Sequence, residues 1–457
     1  MNLKLTSLIS DQRSYFLSQA TKSVSMRKLA LKRLADAIRT HERLLFDALY
    51  ADLHKSEFEA YSTEIGIVLA EISTHIRHLS GWAKPQNAST PVFMFPSRSK
   101  LIHEPYGVVL IVSPWNYPFQ LVMSPLIGAI SAGNCAVIKP SPQAPATAAV
   151  IEIIISEVFD AQYVAVVHGE KEVMNELLNE RFDYIFFTGS SSFGKQIMAS
   201  AARWLTPMTL ELGGKSPCIV DEDADIEVAA RRIVWGKFLN AGQTCVAPDY
   251  IFAHKHIKDR LIHQMKVEIG NMFGANPQHS PDYGRIINEA ALNRLISFIN
   301  QGNVVVGGQF DLKDNYIAPT IIDDVQHDFR IMQEEIFGPI LPVMIFENRS
   351  EVVDYLKHTE KPLALYYFTQ SQKNAQAMLS QTSSGGVCIN DVIMHVANDK
   401  LPFGGVGNSG FGNYHGKYSF LTFSHSRAVI STSTFIDIKM RYAPFNDKIK
   451  WLKRFFN

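Results

Sequence analysis

"GVVLIVSP" at residues 107–114 and "NCAVIKPSP" at residues 134–142 are the two apolar runs on which the fold interpretation rests. Each run is almost without polar residues until it ends, which is typical of a strand covered on both faces of a parallel sheet. Helix-like and strand-like segments then alternate: "TAAVIEIIISEVF" predicts a helix, and "YVAVVHG" and "YIFFTGS" predict two further strands. This alternation predicts a doubly wound, nucleotide-binding type of α/β domain that extends to about Pro207.

The stretch from Pro105 to Ile138 contains no charged residue, so a membrane span is the alternative interpretation. Three prolines interrupt it, together with the polar Asn116, Gln120 and Asn134. A spanning helix needs about 20 predominantly apolar residues with its backbone hydrogen bonds kept. A buried strand, a loop and a buried helix explain the stretch better, and we expect no transmembrane span.

Composition restricts the class of protein. The 457 residues are too many for one small core, so two or three domains or lobes are expected. Lys+Arg and Asp+Glu both number 44, which argues against a bulk electrostatic attraction to nucleic acid. The four cysteines form no CxxC pair, and the N-terminus has no apolar core of signal-peptide length. These features favour a reduced, cytoplasmic setting.

The rest of the chain continues the α/β pattern. One amphipathic helix is predicted from Met26 to Leu53 and another from Ala60 to Trp82, followed by a hairpin or arm. A second α/β block begins at "LELGGKSPCIV" and includes the predicted strands "DYIFAH", "PVMIF" and "LALYYFT". Near the end, "RAVISTSTFIDI" alternates enough to predict an exposed strand that serves as an oligomer arm.

Cys245 stands in "LNAGQTCVAPDY", between Gly242 and Pro248, where a helix ends. A core cysteine usually lies among apolar neighbours in a helix or strand, whereas this context favours an irregular, accessible loop. A nearby helix end or cation there can depress the pKa of a thiol and make it a nucleophile. An inert buried cysteine is the simpler alternative for any single cysteine.

Several polar residues and glycines follow predicted strands. Asn116 ends one strand, where an amide can donate to a developing oxyanion, and Lys139 ends another, where ligands bind in open sheets. Gly189 and Gly194 follow a third strand with GxxxxG spacing, which is not the GxGxxG dinucleotide pattern. A turn asparagine, a solvated lysine and a tight strand–helix turn are the simpler alternatives.

Two glutamates are candidate bases. Glu211 lies between leucines in "LELGGKSP", and a carboxylate in an apolar strand is costly unless it is paired or protonated. Such an environment raises the pKa toward the range that suits a general base. Glu335 in "QEEIFGP" lies close to Phe337 and offers the same type of group. For either glutamate alone, a capped or paired structural role is the alternative.

Seven motifs, taken together and in order, resemble those of the aldehyde dehydrogenase family: "PWNYP", "IKPS", "FTGS", "LELGGKSP", "GQTC", "EEIFGP" and "LPFGGVGNSG". They run from Pro114 to Gly410, and with the flanking helices the resemblance covers essentially the whole chain. The longer "GQTCVAPDY" and the "GNYHGKYSF" segment with its following "FSH" are similar to the class 3 and fatty aldehyde dehydrogenases.

The resemblance implies a doubly wound, Rossmann-like α/β cofactor domain, a second α/β catalytic domain and a small oligomerisation arm. We place the N-terminal helices and the NAD(P)-binding domain at residues 1–210, with arm strands at about 84–104. The catalytic domain then covers residues 211–410, and a bridging and oligomerisation segment with the tail covers residues 411–457. A homodimer is implied as well.

The family's residue roles carry over by motif. Cys245 would be the nucleophile, and Asn116 would form the oxyanion hole with the backbone N–H of Cys245. Glu211 would activate water, and Glu335 competes for that role in class 3 relatives. The resemblance assigns no residue to a metal. It implies cofactor contacts from Trp115, Lys139, Ser141, Gly189, Ser190, Gly194, Leu212, Glu335 and Phe337.

The implied reaction is oxidation of an aldehyde, aliphatic of medium or long chain or aromatic, to its acid with NAD or NADP. The family usually has a glutamate after IKPS that binds the adenosine ribose, and Pro142 stands there instead. The loss of that carboxylate removes a ribose acceptor and a repulsion against a 2′-phosphate, so we expect dual use of NAD and NADP or a weaker preference for NAD. A CoA-acylating dehydrogenase and a non-catalytic relative are the alternatives, and Glu211 and the complete set of chemical groups argue against them.

The last twelve residues, "NDKIKWLKRFFN", are basic and aromatic. The cationic residues of this segment are Lys448, Lys450, Lys453 and Arg454, and its aromatic residues are Trp451, Phe455 and Phe456. Such a segment can contact an anionic membrane surface weakly. A tail that packs on the partner subunit is the alternative.

Overall fold

A helical layer begins the chain in this computed structural model, which describes residues 3–456. Its helices are α1 (Leu3–Leu17), α2 (Val24–Thr40), α3 (Glu42–Leu53), α4 (Glu57–Ala60) and α5 (Gly66–Trp82). The single helix predicted from Met26 to Leu53 is wrong, because the backbone leaves the helical conformation at His41. The apolar period continues through that break, so the pattern does not reveal it. A π turn (Tyr61–Ile65) joins α4 to α5.

A six-stranded sheet follows the helical layer and a short hairpin, β1 (Gln86–Ala88) with β2 (Ser97–Pro105). The parallel strands of the sheet and their helices are β3 (Val108–Val112), α6 (Gln120–Ala132), β4 (Cys135–Lys139), α7 (Pro145–Val158), β5 (Val164–Val166), α8 (Lys171–Asn179), β6 (Tyr184–Gly189), α9 (Ser191–Ala201) and β7 (Met208–Leu212). Their order is β5-β4-β3-β6-β7, which confirms the doubly wound prediction. The strand order reverses between β3 and β6, and ligands bind at the carboxyl ends on either side of such a reversal.

The stretch without charges consists of β3, a loop, the buried helix α6 and β4. Pro125 lies inside α6, where every residue is buried against the sheet and neighbouring helices. Across residues 3–456, no helix is both long enough and apolar enough to cross a membrane.

A seven-stranded sheet forms the second α/β unit, in the order β10-β13-β14-β9-β8-β15-β16. Its elements are β8 (Pro217–Val220), α10 (Ile226–Phe238), β9 (Tyr250–His254), α11 (Lys258–Phe273), α12 (Glu289–Ile299), β10 (Asn303–Val306), the small hairpin β11 (Phe310–Asp311) and β12 (Tyr316–Ile317), β13 (Thr320–Asp323), α13 (Arg330–Gln333), β14 (Ile340–Phe346), α14 (Arg349–Lys357), β15 (Ala364–Phe368), α15 (Gln372–Gln381) and β16 (Gly386–Ile389). All neighbours are parallel except β10 with β13.

The C-terminal segment returns to the first sheet. Its elements are β17 (Gly410–Phe411), α16 (Lys417–Thr422), β18 (Ser424–Thr432) and α17 (Ile449–Phe456). β17 pairs antiparallel with β7, opposite Glu211 and Leu210. β18 pairs with β2 over its whole length and completes a three-stranded arm, β1-β2-β18, whose last strand is mostly exposed.

Asp52, at the end of α3, links the helical layer to the first sheet. Its carboxylate accepts hydrogen bonds from the backbone N–H groups of Ala146 and Thr147, at 3.2 and 2.8 Å, and from the Thr147 hydroxyl at 2.7 Å. It therefore satisfies N–H groups in the first turn of α7, which have no partner within that helix.

Replacement of Asp52 by alanine should lower the free energy of unfolding by about 1–2 kcal/mol, the usual cost of a lost helix cap. Urea denaturation followed by circular dichroism measures it. Asp47→Ala is the matched control, since Asp47 lies on the same helix but pairs only with the exposed Arg43. Equal midpoints for the two variants would contradict the prediction.

Candidate active site

The predicted residues meet in one cavity of about 220 Å³ at the carboxyl ends of β3, β6 and β7. Nine of the twelve predicted site residues line it: Trp115, Asn116, Gly189, Ser190, Glu211, Leu212, Cys245, Glu335 and Phe337. The strand ends coincide because Val112 pairs with both Lys139 and Phe187, and Gly189 with Leu212. The cavity therefore lies at the reversal of strand order.

Lys139, Ser141 and Gly194 do not line the cavity. Lys139 is buried at the end of β4, and its Nζ donates to the Pro140 carbonyl at 3.0 Å; burial lowers its pKa. The Ser141 hydroxyl accepts a hydrogen bond from the backbone N–H of Gln143. Gly194 lies in α9, and a Cβ there would come within 2.8 Å of Leu212. Its role is close packing of helix on strand.

The loop that carries Cys245 has an unusual backbone. Asn240, Ala241 and Gly242 all have positive φ, at 52°, 49° and 75°. A Cβ on Gly242 would lie 2.3 Å from the Gly338 carbonyl oxygen, so this position needs glycine. The chain thus leaves α10 through three left-handed residues and turns the thiol toward the first sheet.

Gln243 fixes the same loop through three buried hydrogen bonds. Its amide nitrogen donates to the carbonyls of Asn240 and Arg285, at 3.0 and 2.9 Å, and its amide oxygen accepts from the N–H of Ile287 at 3.0 Å. Gly242 and Gln243 of the GQTC motif therefore set the backbone that places the Cys245 thiol on the cavity wall.

The Cys245 thiol is half-buried and protonated at neutral pH. Burial raises its pKa to about 12, and the nearby carboxyls of Glu335 and Glu211 act in the same direction. Backbone N–H groups of Cys245 and Val246 oppose this rise. The thiol needs a further positive charge or a base before it becomes a thiolate.

Asn116 lies beside the thiol loop. Its side-chain nitrogen donates to the Gln243 carbonyl at 3.0 Å, which leaves its second N–H free for another acceptor. The backbone carbonyl of Asn116 accepts from the side chains of Lys55 and Asn240, at 3.0 and 2.7 Å. The amide is therefore held firmly at the cavity wall, and the Gln243 carbonyl uses only one of its two N–H groups.

The two glutamates differ in their surroundings. Glu211 is buried, and neither of its carboxyl oxygens has a hydrogen-bond partner among residues 3–456; burial raises its pKa well above the usual range. Glu335 has a pKa raised to about 8 by burial and by Asp249, opposed by the Gly214 N–H, Lys215 and Arg294. Both carboxyls can hold a proton near neutral pH.

Charged side chains contact the loop that carries Glu335 from two sides and hold it in place. Lys215 donates to Asp249 at 2.6 Å and to the carbonyl of Ile331, and Asp249 accepts from the N–H of Ile336 at 3.0 Å. Arg294 donates to the carbonyl of Glu335 at 3.1 Å. Phe337 follows in a left-handed conformation (φ 50°) and meets the Trp115 ring edge to face at 5.4 Å.

The other residues of the cavity wall were not predicted: Pro114, Leu121, Thr188, Gly213, Leu363, Phe403 and Tyr414. Phe403 lies in the LPFGG motif and Tyr414 just after it, and a backbone bridge joins the two residues. Tyr414 is buried close to Glu211 and Cys245, since both raise its pKa further after burial. In the sequence, only the motif could have indicated that these aromatic residues line the cavity, because an aromatic residue in a glycine-rich loop does not by itself predict this.

The strand ends suit a nicotinamide dinucleotide. The Thr188 hydroxyl is buried in the cavity wall without a partner, so it can bond a ligand. Ser190 caps α9, and the first N–H groups of that helix point to the side on which β6 ends. Apolar and aromatic walls beside a few such polar groups are typical of cofactor sites.

The fold and the cavity define an α/β oxidoreductase with a thiol at the cofactor edge of the sheet. The sequence model of the "Aldehyde dehydrogenase family" matches residues 5–429. The chain belongs to this family and is a nicotinamide-dependent aldehyde dehydrogenase.

Comparisons with individual proteins agree with this family assignment. The chain is 49% identical over 448 residues to the 4,4'-diaponeurosporen-aldehyde dehydrogenase of Staphylococcus aureus, with 98% of both chains covered. It is 45% identical to a dog enzyme named "Aldehyde dehydrogenase, dimeric NADP-preferring", over 96% of this chain and 98% of that one. The solved substrate-bound state of S. aureus AldH superposes with a TM-score of 0.98 at 48% identity, covering all of both chains.

Glu335→Gln should make Cys245 react faster with iodoacetamide at pH 8–9, because the ionised Glu335 carboxylate raises the thiol pKa. A decrease of half a pKa unit corresponds to about a threefold faster rate in that range. Mass spectrometry of the Cys245 peptide, without cofactor, measures it.

Glu334→Gln is the control for this alkylation experiment, since Glu334 pairs with Arg330 and Arg294 instead. Slower alkylation in Glu335→Gln would contradict the electrostatic assignment, because it would mean that Glu335 removes the thiol proton.

Proposed function

We propose that Cys245, Asn116 and Glu211 carry out the aldehyde oxidation. The observation that carries this proposal is that a thiol, a free amide N–H and an unpartnered carboxyl line one cavity. The Cys245 thiolate attacks the aldehyde carbon, and a thiohemiacetal forms. The Asn116 N–H and the Cys245 backbone N–H donate to its oxyanion; such donors each contribute on the order of 10²–10³ in rate.

We assign to NAD or NADP five residues that line the cavity, Trp115, Ser190, Leu212, Glu335 and Phe337, together with Lys139, Ser141, Gly189 and Gly194. When bound, the oxidised nicotinamide supplies the hydride acceptor. Phe337 and Trp115 hold the wall of the cavity by their edge-to-face contact. Thr188 adds an unpartnered hydroxyl beside it.

Glu211 is the proposed base for the second half of the reaction. It takes a proton from water, and the resulting hydroxide attacks the Cys245 thioester and releases the acid and the thiol. In its ionised form, a carboxylate of raised pKa is a stronger base than an ordinary one, so Glu211 suits this task once it has lost its own proton. Glu335, the competitor for this role, keeps cationic neighbours in Lys215 and Arg294 that stabilise its ionised form.

The substrate we propose is an apolar aldehyde of medium or long chain, or an aromatic one. The cavity wall is mostly apolar, with Leu121, Leu363, Phe403 and Tyr414 around the thiol. The S. aureus relative is named for a 4,4'-diaponeurosporen-aldehyde, which supports an extended apolar substrate. Pro142, exposed after β4, offers no carboxylate against a 2′-phosphate, and we propose that both cofactors are used.

A homodimer in the cytoplasm is the proposed state of the protein. The exposed strand β18 gives the arm an edge that a second subunit can cover, and the dog relative is named dimeric. All four cysteines are free, as expected in a reducing compartment. We assign the cofactor role to residues 1–210, the catalytic role to 211–410 and the bridging role to 411–457, with the arm strands near 84–104.

Glu211→Gln should keep a single burst of reduced nicotinamide but lower steady-state turnover by about 10²–10³-fold, because thioester hydrolysis then lacks its base. Stopped-flow absorbance with NAD and with NADP, over aliphatic and aromatic aldehydes, measures both phases. The two cofactors should give kcat/KM values within about tenfold of each other, since nothing at Pro142 excludes the extra phosphate.

Cys245→Ala is the control for these kinetics and should abolish both the burst and the turnover while the protein remains folded. A larger steady-state loss in Glu335→Gln than in Glu211→Gln would reverse the assignment of the base. Turnover with NAD alone would contradict the proposed cofactor range.

The C-terminal tail is a proposed site of weak membrane contact. Helix α17 exposes Ile449, Trp451 and Leu452, and Lys453 and Arg454 follow on the same helix. The side chains of Phe455 and Phe456 lie outside what the structure describes. Apolar and cationic side chains on one short helix favour the interface of an anionic bilayer.

The protein should co-sediment with vesicles that contain about a third phosphatidylserine and dissociate as salt rises, because cationic contacts are screened. A chain without residues 446–457 is the comparison, and neutral phosphatidylcholine vesicles are the control. Equal sedimentation of the full and truncated chains would contradict membrane contact. Dimer dissociation on truncation would instead favour packing of the tail on the partner subunit.

A further inference from the structure

Three charged side chains are buried beneath the thiol loop without lining the cavity. Lys55 and Glu64 have no exposed side-chain surface, and Glu59 is nearly as deeply buried. None belongs to the seven motifs. Burial of charges is costly unless each one is paired and hydrogen-bonded, so their contacts indicate what they do.

The π turn (Tyr61–Ile65) brings the two glutamates together. In a regular α-helix, residues five apart lie on different faces, whereas a π turn carries its hydrogen bonds from i to i+5 and brings such residues toward one face. Glu59 and Glu64 thereby both lie close to Lys55, and Lys55 opposes the burial-driven rise in the Glu59 pKa, which reaches about 7. Such turns are frequent at functional sites.

Lys55 and Glu64 hold the turn that contains Asn116. Lys55 Nζ bonds Glu64 and donates to the Asn116 carbonyl at 3.0 Å, and it lies 3.9 Å from the centre of the Tyr117 ring. The second oxygen of Glu64 accepts from the N–H groups of Phe119 and Gln120, at 2.8 and 3.2 Å. The turn between β3 and α6 is thus fixed on both sides of its amide.

Glu59 holds the other loop. Its carboxylate accepts from the backbone N–H of Asn240 at 2.8 Å, at the first of the three left-handed residues. The Asn240 side chain in turn donates to the Asn116 carbonyl at 2.7 Å and to the Gln243 carbonyl at 3.2 Å. One chain of contacts therefore runs from Glu59 through Asn240 to both the amide turn and the thiol loop.

We propose that Lys55, Glu59 and Glu64 are positioning residues that set the distance between the Asn116 amide and the Cys245 thiol. This inference rests on the proposed roles of Asn116 and Cys245. Because the support acts on the oxyanion donor and the nucleophile, its loss slows acylation of Cys245 and leaves cofactor binding unchanged. A misplacement of about 1 Å between reacting groups is enough to cost up to 10²-fold in rate.

The test is acylation by p-nitrophenyl acetate, which needs neither cofactor nor aldehyde. The Cys245 sulfur forms a bond to the ester carbonyl carbon, the carbon–oxygen bond to the leaving group breaks, and p-nitrophenolate is released and measured by stopped flow. We expect Glu59→Ala to lower the maximal burst rate constant about tenfold. The half-saturating ester concentration and the NAD dissociation constant should stay within about twofold. Glu59→Gln keeps an acceptor for the Asn240 N–H and should recover most of the rate.

Glu268→Ala is the matched control, since Glu268 is a buried glutamate whose partners are Gln264 and Asn271 on its own helix and Arg231 on α10, rather than the Asn116 turn or Asn240. Glu59→Asp retains the charge, but its shorter side chain does not reach Asn240. This variant should be acylated at least threefold more slowly than the parent. It replaces Glu59→Ala as the test if that variant does not fold. Wild-type burst rates in Glu59→Ala or Glu59→Asp, or an equal loss in Glu268→Ala, would overturn the inference. Absence of any burst in the parent protein would instead refute the role of Cys245.

Discussion

One buried hydrogen bond, from the Asn116 amide to the Gln243 carbonyl, joins the loop of the first sheet to the loop of the second. Asn116 follows β3, and Gln243 stands two residues before the thiol. If the two sheets moved apart, the buried Asn116 amide would lose its partner, at a cost of about 1–3 kcal/mol, while the Gln243 carbonyl would keep the Asn240 amide. The geometry of amide and thiol is therefore coupled to the packing of the two α/β units.

Without a ligand, the thiol and the two carboxyls of the cavity favour their protonated forms. Both carboxyls raise the pKa of Cys245 when ionised, and burial raises the pKa of each carboxyl in turn. The thiolate is the nucleophile, so the free protein reacts with electrophiles through the ionised fraction of Cys245. A positive charge that enters the cavity reverses this balance, because it stabilises the thiolate and the carboxylates together.

Sequence reasoning was sufficient for the parts of the molecule that local pattern determines. The apolar runs ending at Val112 and Lys139 are buried on both faces and form parallel strands, as predicted. Nine of the twelve predicted site residues line one cavity because the carboxyl ends of parallel strands share an edge. The break at His41 was missed, since helix periodicity continues across it.

The buried residues that hold the two loops of the site could not be predicted from local sequence pattern. Glu59 and Asn240 are 181 positions apart and meet only in the folded chain. Lys55, Glu59 and Glu64 resemble a solvated run of charges in the sequence, and only the π turn and the packing of two loops over it bury them. Tyr414 and Phe403 were also missed, because a residue lines a cavity only when folding brings other residues opposite it.

The glycine motif near the C-terminus explains why Glu211 has no partner. β17 returns the chain to β7 opposite Glu211, and Gly410 has φ 125° with no room for a side chain, since a Cβ would lie 2.0 Å from the Leu210 carbonyl oxygen. A Cβ on Gly404 would lie 3.1 Å from a Glu211 carboxyl oxygen. These glycines therefore bring backbone close to the carboxyl on one side while they supply no side-chain donor. Desolvation without a compensating bond is what raises the Glu211 pKa, so the glycines contribute to this rise through the close approach of backbone.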